Sequence, residues 1–176
     1  MEIKTTRLTL REFVAADWQA VLAYQSDARY LRFYEWETRT ESDVRAFIQR
    51  LIDWQKEQPR LKFQLAIERD KCLIGNCGVR IVDAKNRIAE IGYELAPDDW
   101  GKGYATEAAS AMLNFGFREL QLDRIHAWCI ADNVASVRVL HKIGMNCEKV
   151  THEQKWFKGR WWDALTFGIS AQEYND

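Results

Sequence analysis

The chain has 176 residues, with Lys+Arg 25 against Asp+Glu 26, a formal charge of -1, and 47% hydrophobic and 29% charged residues. That length is read as one domain, residues 1–176, able to bury a core without staples, and the charge balance lacks the basic excess of a nucleic-acid binder. The charged start, MEIKTTRLTLREF, and the absence of any stretch near the ~18 apolar residues of a membrane span point to a soluble cytoplasmic protein with no membrane partner.

RLTLREF alternates, with Leu8 and Leu10 on one side, and reads as a first strand. AADWQAVLAYQSD then places Trp18, Val21 and Leu22 at helical spacing. A second helix follows Thr40, with Asp43 at the capping-box position and a stripe of Val44, Phe47, Ile48, Leu51 and Ile52. From Lys62 the period changes to two. KFQLAIE, CLIGNCGVRIV and RIAEIGYEL alternate around the turns RDK and DAKN, which predicts a three-stranded antiparallel meander. A helix is expected from about Tyr104 to Glu119, then a short strand RIHAWCI, a helix NVASVRVLHKIG closed by Gly144, and closing strands MNCEKV and WWDALTFGIS. Strands at both ends, with helices between, imply an α/β (α+β) fold with one mixed, mostly antiparallel sheet flanked by helices.

Cys72, Cys77, Cys129 and Cys147 form no C-x-x-C pair and the histidines are scattered, so no metal site is expected. The stretch WGKGYATEA is more specific. Gly101 and Gly103 precede a helix whose first N–H groups lack internal partners and sit at its positive end. Bare glycines let a phosphate approach those amides, and Lys102 adds positive charge. The plain alternative is a strand-to-helix turn with glycines for geometry. Ala105, Ala108 and Ala109 suit a helix lying close on a sheet.

These residues, in order, resemble the GNAT acetyltransferase superfamily, and within it the Rim-type branch of ribosomal-protein N-terminal acetyltransferases. TTRLTLREFVAADW resembles the branch's opening strand and helix, AEIGYELAPDDWGKGYATEA its central strand and acyl-CoA loop, and ADNVASVRVLHKIGM its second cofactor motif. The resemblance implies the GNAT fold and acetyl-CoA as cosubstrate. Amides of Gly101, Lys102, Gly103, Tyr104, Ala105 and Thr106 would hold the pyrophosphate, backbone near Leu95 and Ala96 would pair with the pantetheine arm, and Asn133 would contact the cofactor. Trp100 departs from the family's Gln/Arg, and Leu140 stands where many members have a tyrosine acid.

Acetyl transfer to an amine needs a proton acceptor for the ammonium and a proton donor for the leaving thiolate. The resemblance points to Glu90 for the first role, with Glu94 and Glu148 as competitors, and to Ser136 for the second. A strand carboxylate paired with Arg or Lys, and a hydroxyl bonded to its own helix, are the plain alternatives. Phe33, Tyr34 and Trp36 would line the acceptor site, with Trp156, Trp161 and Trp162 near the closing strands. Aromatic residues of this kind also fill cores or a homodimer contact. The expected activity is acetyl transfer from acetyl-CoA to a primary amine, a protein N-terminus or a small molecule. Its rivals are an idle acyl-CoA-binding sensor or scaffold and a phosphate-binding structural protein.

Overall fold

Around the meander the sheet grows in both directions. The computed structural model describes residues 1–175. Strand β1 (Glu2–Lys4) turns back on β2 (Thr9–Arg11), and a 3-10 turn at Ala15–Asp17 leads into α1 (Trp18–Gln25), α2 (Ala28–Leu31) and α3 (Glu41–Trp54). The meander is β3 (Lys62–Arg69), β4 (Cys72–Asp83) and β5 (Ile88–Leu95). Then come α4 (Tyr104–Arg118), β6 (Arg124–Ile130), α5 (Val134–Lys142), β7 (Asn146–Phe157), β8 (Arg160–Ser170) and α6 (Ala171–Asn175). The eight strands form one sheet in the order β1-β2-β3-β4-β5-β6-β8-β7. Neighbours run antiparallel except β5 and β6, which are parallel.

Local chemistry sets these elements. At the start of α3 the Thr40 hydroxyl accepts the Asp43 N–H at 3.2 Å, and the Asp43 carboxylate accepts the Thr40 N–H at 2.9 Å. Val44, Ile48 and Leu51 are buried behind that cap, with Tyr24 and Tyr30, on one side of the sheet. On the other side Ala108, Ala109, Met112 and Leu113 of α4 are fully buried. A side chain at Gly116 would come within 2.7 Å of Ile125, so the glycine sets how closely α4 lies on β6. Leu140 of α5 belongs to this same core.

Four elements differ from expectation. β1 and α6 are additional, at 3 and 5 residues too short for a periodic signal. The one-turn α2 rests on Asp27, whose carboxylate accepts the Arg29 N–H at 2.8 Å. β7 runs past MNCEKV to Phe157, with irregular register at Cys147/Lys149 and at Thr151/Lys155 that hides the alternation. Among the described residues no helix is long and apolar enough to cross a membrane.

Candidate active site

The parallel pair β5–β6 holds together for only three rungs, Ile88↔Arg124, Ala89↔Ile125 and Glu90↔His126. Beyond them β6 follows β8, while β5 continues beside β4 to Leu95. The sheet therefore opens into a wedge with Glu90 and His126 at its vertex. Ala96 gives its N–H to Ile74 C=O at 2.7 Å. Since alternate residues of an antiparallel ladder face the same partner, the N–H and C=O groups of Tyr93 and Leu95 turn away from β4 into the wedge, as does the Ile91 C=O, while the Ile91 N–H is used in the last rung with β6. Of the two residues expected to pair with an arm, Leu95 faces the gap and Ala96 faces β4. The Trp100 indole donates to Leu95 C=O at 2.8 Å, so the unexpected residue of the loop closes the outermost rung.

The wedge opens toward the glycine loop. A 3-10 turn at Pro97–Asp99 brings the chain to Gly101 (φ 75) and Gly103 (φ 83), both left-handed. Gly103 is the N-cap of α4 and offers no side-chain cap, which leaves the first-turn amides of Tyr104, Ala105 and Thr106 pointing out of the helix end. Arg7 braces the loop, donating to Lys102 C=O at 3.0 Å and to Glu107 at 2.7 Å. Burial works to raise the Glu107 carboxyl, but hydrogen bonds from Thr5 and Arg7 outweigh it and hold the group low. Lys102 lies 3.0 Å from Asp99, which also takes Arg69 at 2.7 Å.

Alternation along β5 sends its side chains to opposite faces. Tyr93 reaches across the wedge to α5, donating to Ser136 C=O at 3.1 Å and sharing a 3.0 Å hydrogen bond with the Ser136 hydroxyl. The Ser136 N–H is capped by Asn133 at 3.2 Å. Burial holds the Tyr93 phenol above its ordinary range, so it keeps its proton. Burial likewise pushes the neighbouring Cys129 thiol up to about 11, against a hydrogen bond with Ser136.

Glu90 lies on the other face. One carboxylate oxygen accepts from Arg80 at 2.7 Å, and the other is 3.9 Å from His126 Nε2. Arg80 crosses directly over Gly92, where a side chain would meet its guanidinium at 2.8 Å. Arg80 also donates to Gln64 at 2.7 Å, and Gln64 to Asn76 at 2.6 Å, which joins Glu90 to Glu94 by a chain of hydrogen bonds. Glu94 accepts from Tyr24 at 2.7 Å, Gln25 at 2.8 Å, Tyr34 at 3.5 Å, and from Asn76 and Tyr30. A carboxylate has about four lone-pair sites, so Glu94 is saturated and serves to anchor the tyrosines. Their phenols are raised, first by burial and then by the Glu94 charge. Glu148 of β7 reaches back over Gly168 of β8 to pair with Arg124 of β6.

The predicted acceptor aromatics divide. Tyr34 stacks between Tyr30 at 4.5 Å and Trp36 at 4.7 Å, with Trp36 partly exposed at the end of the stack. Phe33 instead meets Trp162 edge-on at 5.8 Å, joining Phe157 and Ile130 in a small separate cluster. The sequence reading missed Tyr93, Arg80 and His126. Their signal lay in register: Tyr93 alternates with Glu90 and Glu94, and Arg80 and His126 are the rungs opposite Glu90.

Comparison with known proteins gives the family and the fold. Residues 7–146 match the family described as Acetyltransferase (GNAT) domain. An uncharacterized N-acetyltransferase, YnaD of Bacillus subtilis (strain 168), is 38% identical and is covered completely by 99% of this chain. The ribosomal α-N-protein acetyltransferase RimL, solved in complex with coenzyme A, superposes with a TM-score of 0.86 at 19% identity over 97% of this chain and 98% of its own. Spermidine N-acetyltransferase from Vibrio cholerae, solved with CoA and spermine, gives 0.83 at 20% identity over 98% of this chain and 100% of its own. At these identities the two structures attest the fold.

Proposed function

The chain belongs to the GNAT acetyltransferase family, and from that premise we propose that it moves an acetyl group from acetyl-CoA directly to a primary amine, with Glu90 as proton acceptor and Ser136 as proton donor. The observation that carries this reading is the wedge, which puts a carboxylate on one face of the sheet and a hydroxyl pair on the other.

Acetyl-CoA fits as follows. Its pyrophosphate sits on the amides from Gly101 to Thr106, and Lys102 supplies added charge. Its pantetheine arm lies in the wedge and pairs with Leu95 and Tyr93 like an added strand, reaching the Ile91 C=O at the inner end. At ~3.4 Å per residue, Ile91 is about 14 Å along β5 from Leu95, so an extended arm carries the thioester from the loop toward the vertex. Asn133 sets the start of α5 and, through it, the position of Ser136 beside the sulfur.

The amine enters from the Glu90 face, beside the wall formed by Tyr34 and Trp36. The Glu90 oxygen facing His126 takes the ammonium proton, directly or through water, while Arg80 fixes the other oxygen. The neutral nitrogen attacks the thioester carbonyl and the C–N bond forms; as the C–S bond breaks, the nitrogen gives its second proton to solvent water. The thiolate leaves on the opposite face and takes its proton from Ser136, which solvent restores, while Tyr93 keeps its own proton and holds the Ser136 hydroxyl in place. Holding both substrates in line supplies much of the acceleration.

An acceptor screen with free-thiol detection, followed by mass spectrometry, tests this reading. The expected result is amine-dependent thiol release and a product heavier by one acetyl group. Acetyl-CoA binding with no thiol release for any peptide N-terminus, polyamine or amino acid would favour the idle acyl-CoA-binding module. Indifference between acetyl-CoA and other phosphorylated ligands would favour a phosphate-binding structural protein.

A further inference from the structure

A trough runs along β8 on the Glu90 face of the sheet. Its floor is made of the small residues Ala164, Thr166 and Gly168, which alternation places on one face. Trp128 of β6 and Lys149 of β7 stand directly across Thr166 from each other, so each row spans three strands. The cavity is about 480 Å³, with His126, Thr151, Gln154 and Lys155 completing its walls. Trp128 is 50% exposed and forms a flat apolar wall.

A side chain at Gly168 would collide with the Arg124–Glu148 pair, which bridges β8 there beside His126. Trp162, packed on Phe33 and Phe157, follows Ala164 on the same face of β8. His126 connects the trough to Glu90 at the wedge vertex. Three strand spacings of ~4.8 Å and two residues of ~3.4 Å separate the backbones of Glu90 and Lys149, about 16 Å in all.

The charge of the trough is one-sided. Lys149 and Lys155 line it, and among the described residues the lining contains no carboxylate. Of the nearby acids, Glu90 is paired with Arg80 and Glu148 with Arg124, while Glu35 meets Lys155 at the exposed rim, 3.2 Å away, and has to give way to an acceptor carboxylate there. Lys155 is also 6.0 Å from the Trp128 ring, so it leans over the cavity.

We propose that this trough selects the acceptor by charge: it takes an extended amine whose carboxylates, lying beyond the reacting nitrogen, are read by Lys149 and Lys155. The inference rests on the acetyl-transfer reading for the amine end. The span from Glu90 to Lys149 exceeds what one α-amino acid offers. It suits a chain with acidic side chains a few residues from a free N-terminus, with Trp128 packing an intervening apolar group. A polyamine would meet like charge along the same path.

Two hexapeptides test it, Ala-Glu-Asp-Glu-Gly-Gly and Ala-Lys-Arg-Lys-Gly-Gly, with spermidine and free glutamate as further arms. Turnover is followed by thiol release, and binding to the CoA-loaded protein by calorimetry. The acidic peptide should have the higher kcat/KM by about tenfold at low salt, since two partly exposed ion pairs contribute that order. The preference should shrink as salt rises. Lys149→Glu with Lys155→Glu should invert the peptide ratio while acetyl-CoA affinity stays as it was. Acidic-peptide binding without thiol release would uphold the trough and sink the transfer reading. Thiol release that is blind to peptide charge, or fastest with spermidine or free glutamate, would overturn the trough. A change of oligomeric state in the double variant with an unaltered peptide ratio would also overturn it and assign the face to a second copy.

Discussion

Glu90→Gln should lower kcat/KM about 10²–10³-fold at neutral pH, within the lower part of the range for loss of a general base, because water partly substitutes. The amide keeps the shape of the carboxylate and its contact with Arg80, which lies 2.7 Å away in the native site. Only basicity is removed. The acceptor's ammonium has a pKa of about 10, judged from lysine. Raising the pH toward that value should therefore restore activity in the variant, since the amine then arrives without its proton. Acetyl-CoA affinity should barely change, because Glu90 sits at the closed vertex and the glycine loop lies at the open end. The partner change, Ser136→Ala, acts on the opposite face and should lower kcat more than acetyl-CoA affinity. Wild-type kcat/KM for Glu90→Gln between pH 6 and 9, beside a failing Glu148→Gln, would move the base to Glu148. An unchanged kcat for Ser136→Ala, where chemistry limits the rate, would leave that hydroxyl as a helix contact.

Gly103→Val should abolish stabilisation by acetyl-CoA. In the native protein, ligand at about a hundred times its dissociation constant should add ~2.7 kcal/mol, which for a chain of this length raises Tm by about 5–10 °C. Gly103 has φ 83, and an added side chain there would point toward Arg7 at 3.4 Å. A β-branched residue is strained by ~1–3 kcal/mol in that conformation, and its methyl groups would stand before the helix amides. Gly101→Ala separates strain from obstruction. Position 101 has φ 75 but nothing within 4 Å of an added Cβ. That variant should lose stability and keep most of the ligand shift. A Gly103→Val protein that folds and shifts like the native one would refute this account of the loop.

Much of the architecture was legible because its elements carry strong local signals. The Thr40–Asp43 capping box, the three alternating strands and the glycines before α4 each follow from residue chemistry over a few positions. The wedge itself was not legible. Nothing local in RIAEIGYEL or RIHAWCI says that pairing stops after Glu90 and His126, since that depends on where β8 draws β6 away. For the same reason Glu94 read as a candidate base, although its saturation requires α1 and α2 to bring Tyr24, Gln25 and Tyr30 over β5. Phe33 and Tyr34 are adjacent in sequence but turn to different clusters, a division made only by packing. The polar run through His152 to Lys155 concealed the length of β7, because its irregular register breaks the period of two.

The central claim is that the acyl-CoA arm completes the sheet where β5 and β6 part. Amide hydrogen exchange, resolved by residue in the NMR spectrum with and without acetyl-CoA, tests it most directly. The ladder turns the N–H groups of Tyr93 and Leu95 into the wedge, those of Gly92 and Glu94 toward β4, and that of Ile91 into the last rung with β6. Acetyl-CoA should slow exchange at Tyr93 and Leu95 by about tenfold or more and leave Gly92 and Glu94 nearly unchanged. Saturating acetyl-CoA that protects the loop amides but leaves Tyr93 and Leu95 exchanging as before would contradict it.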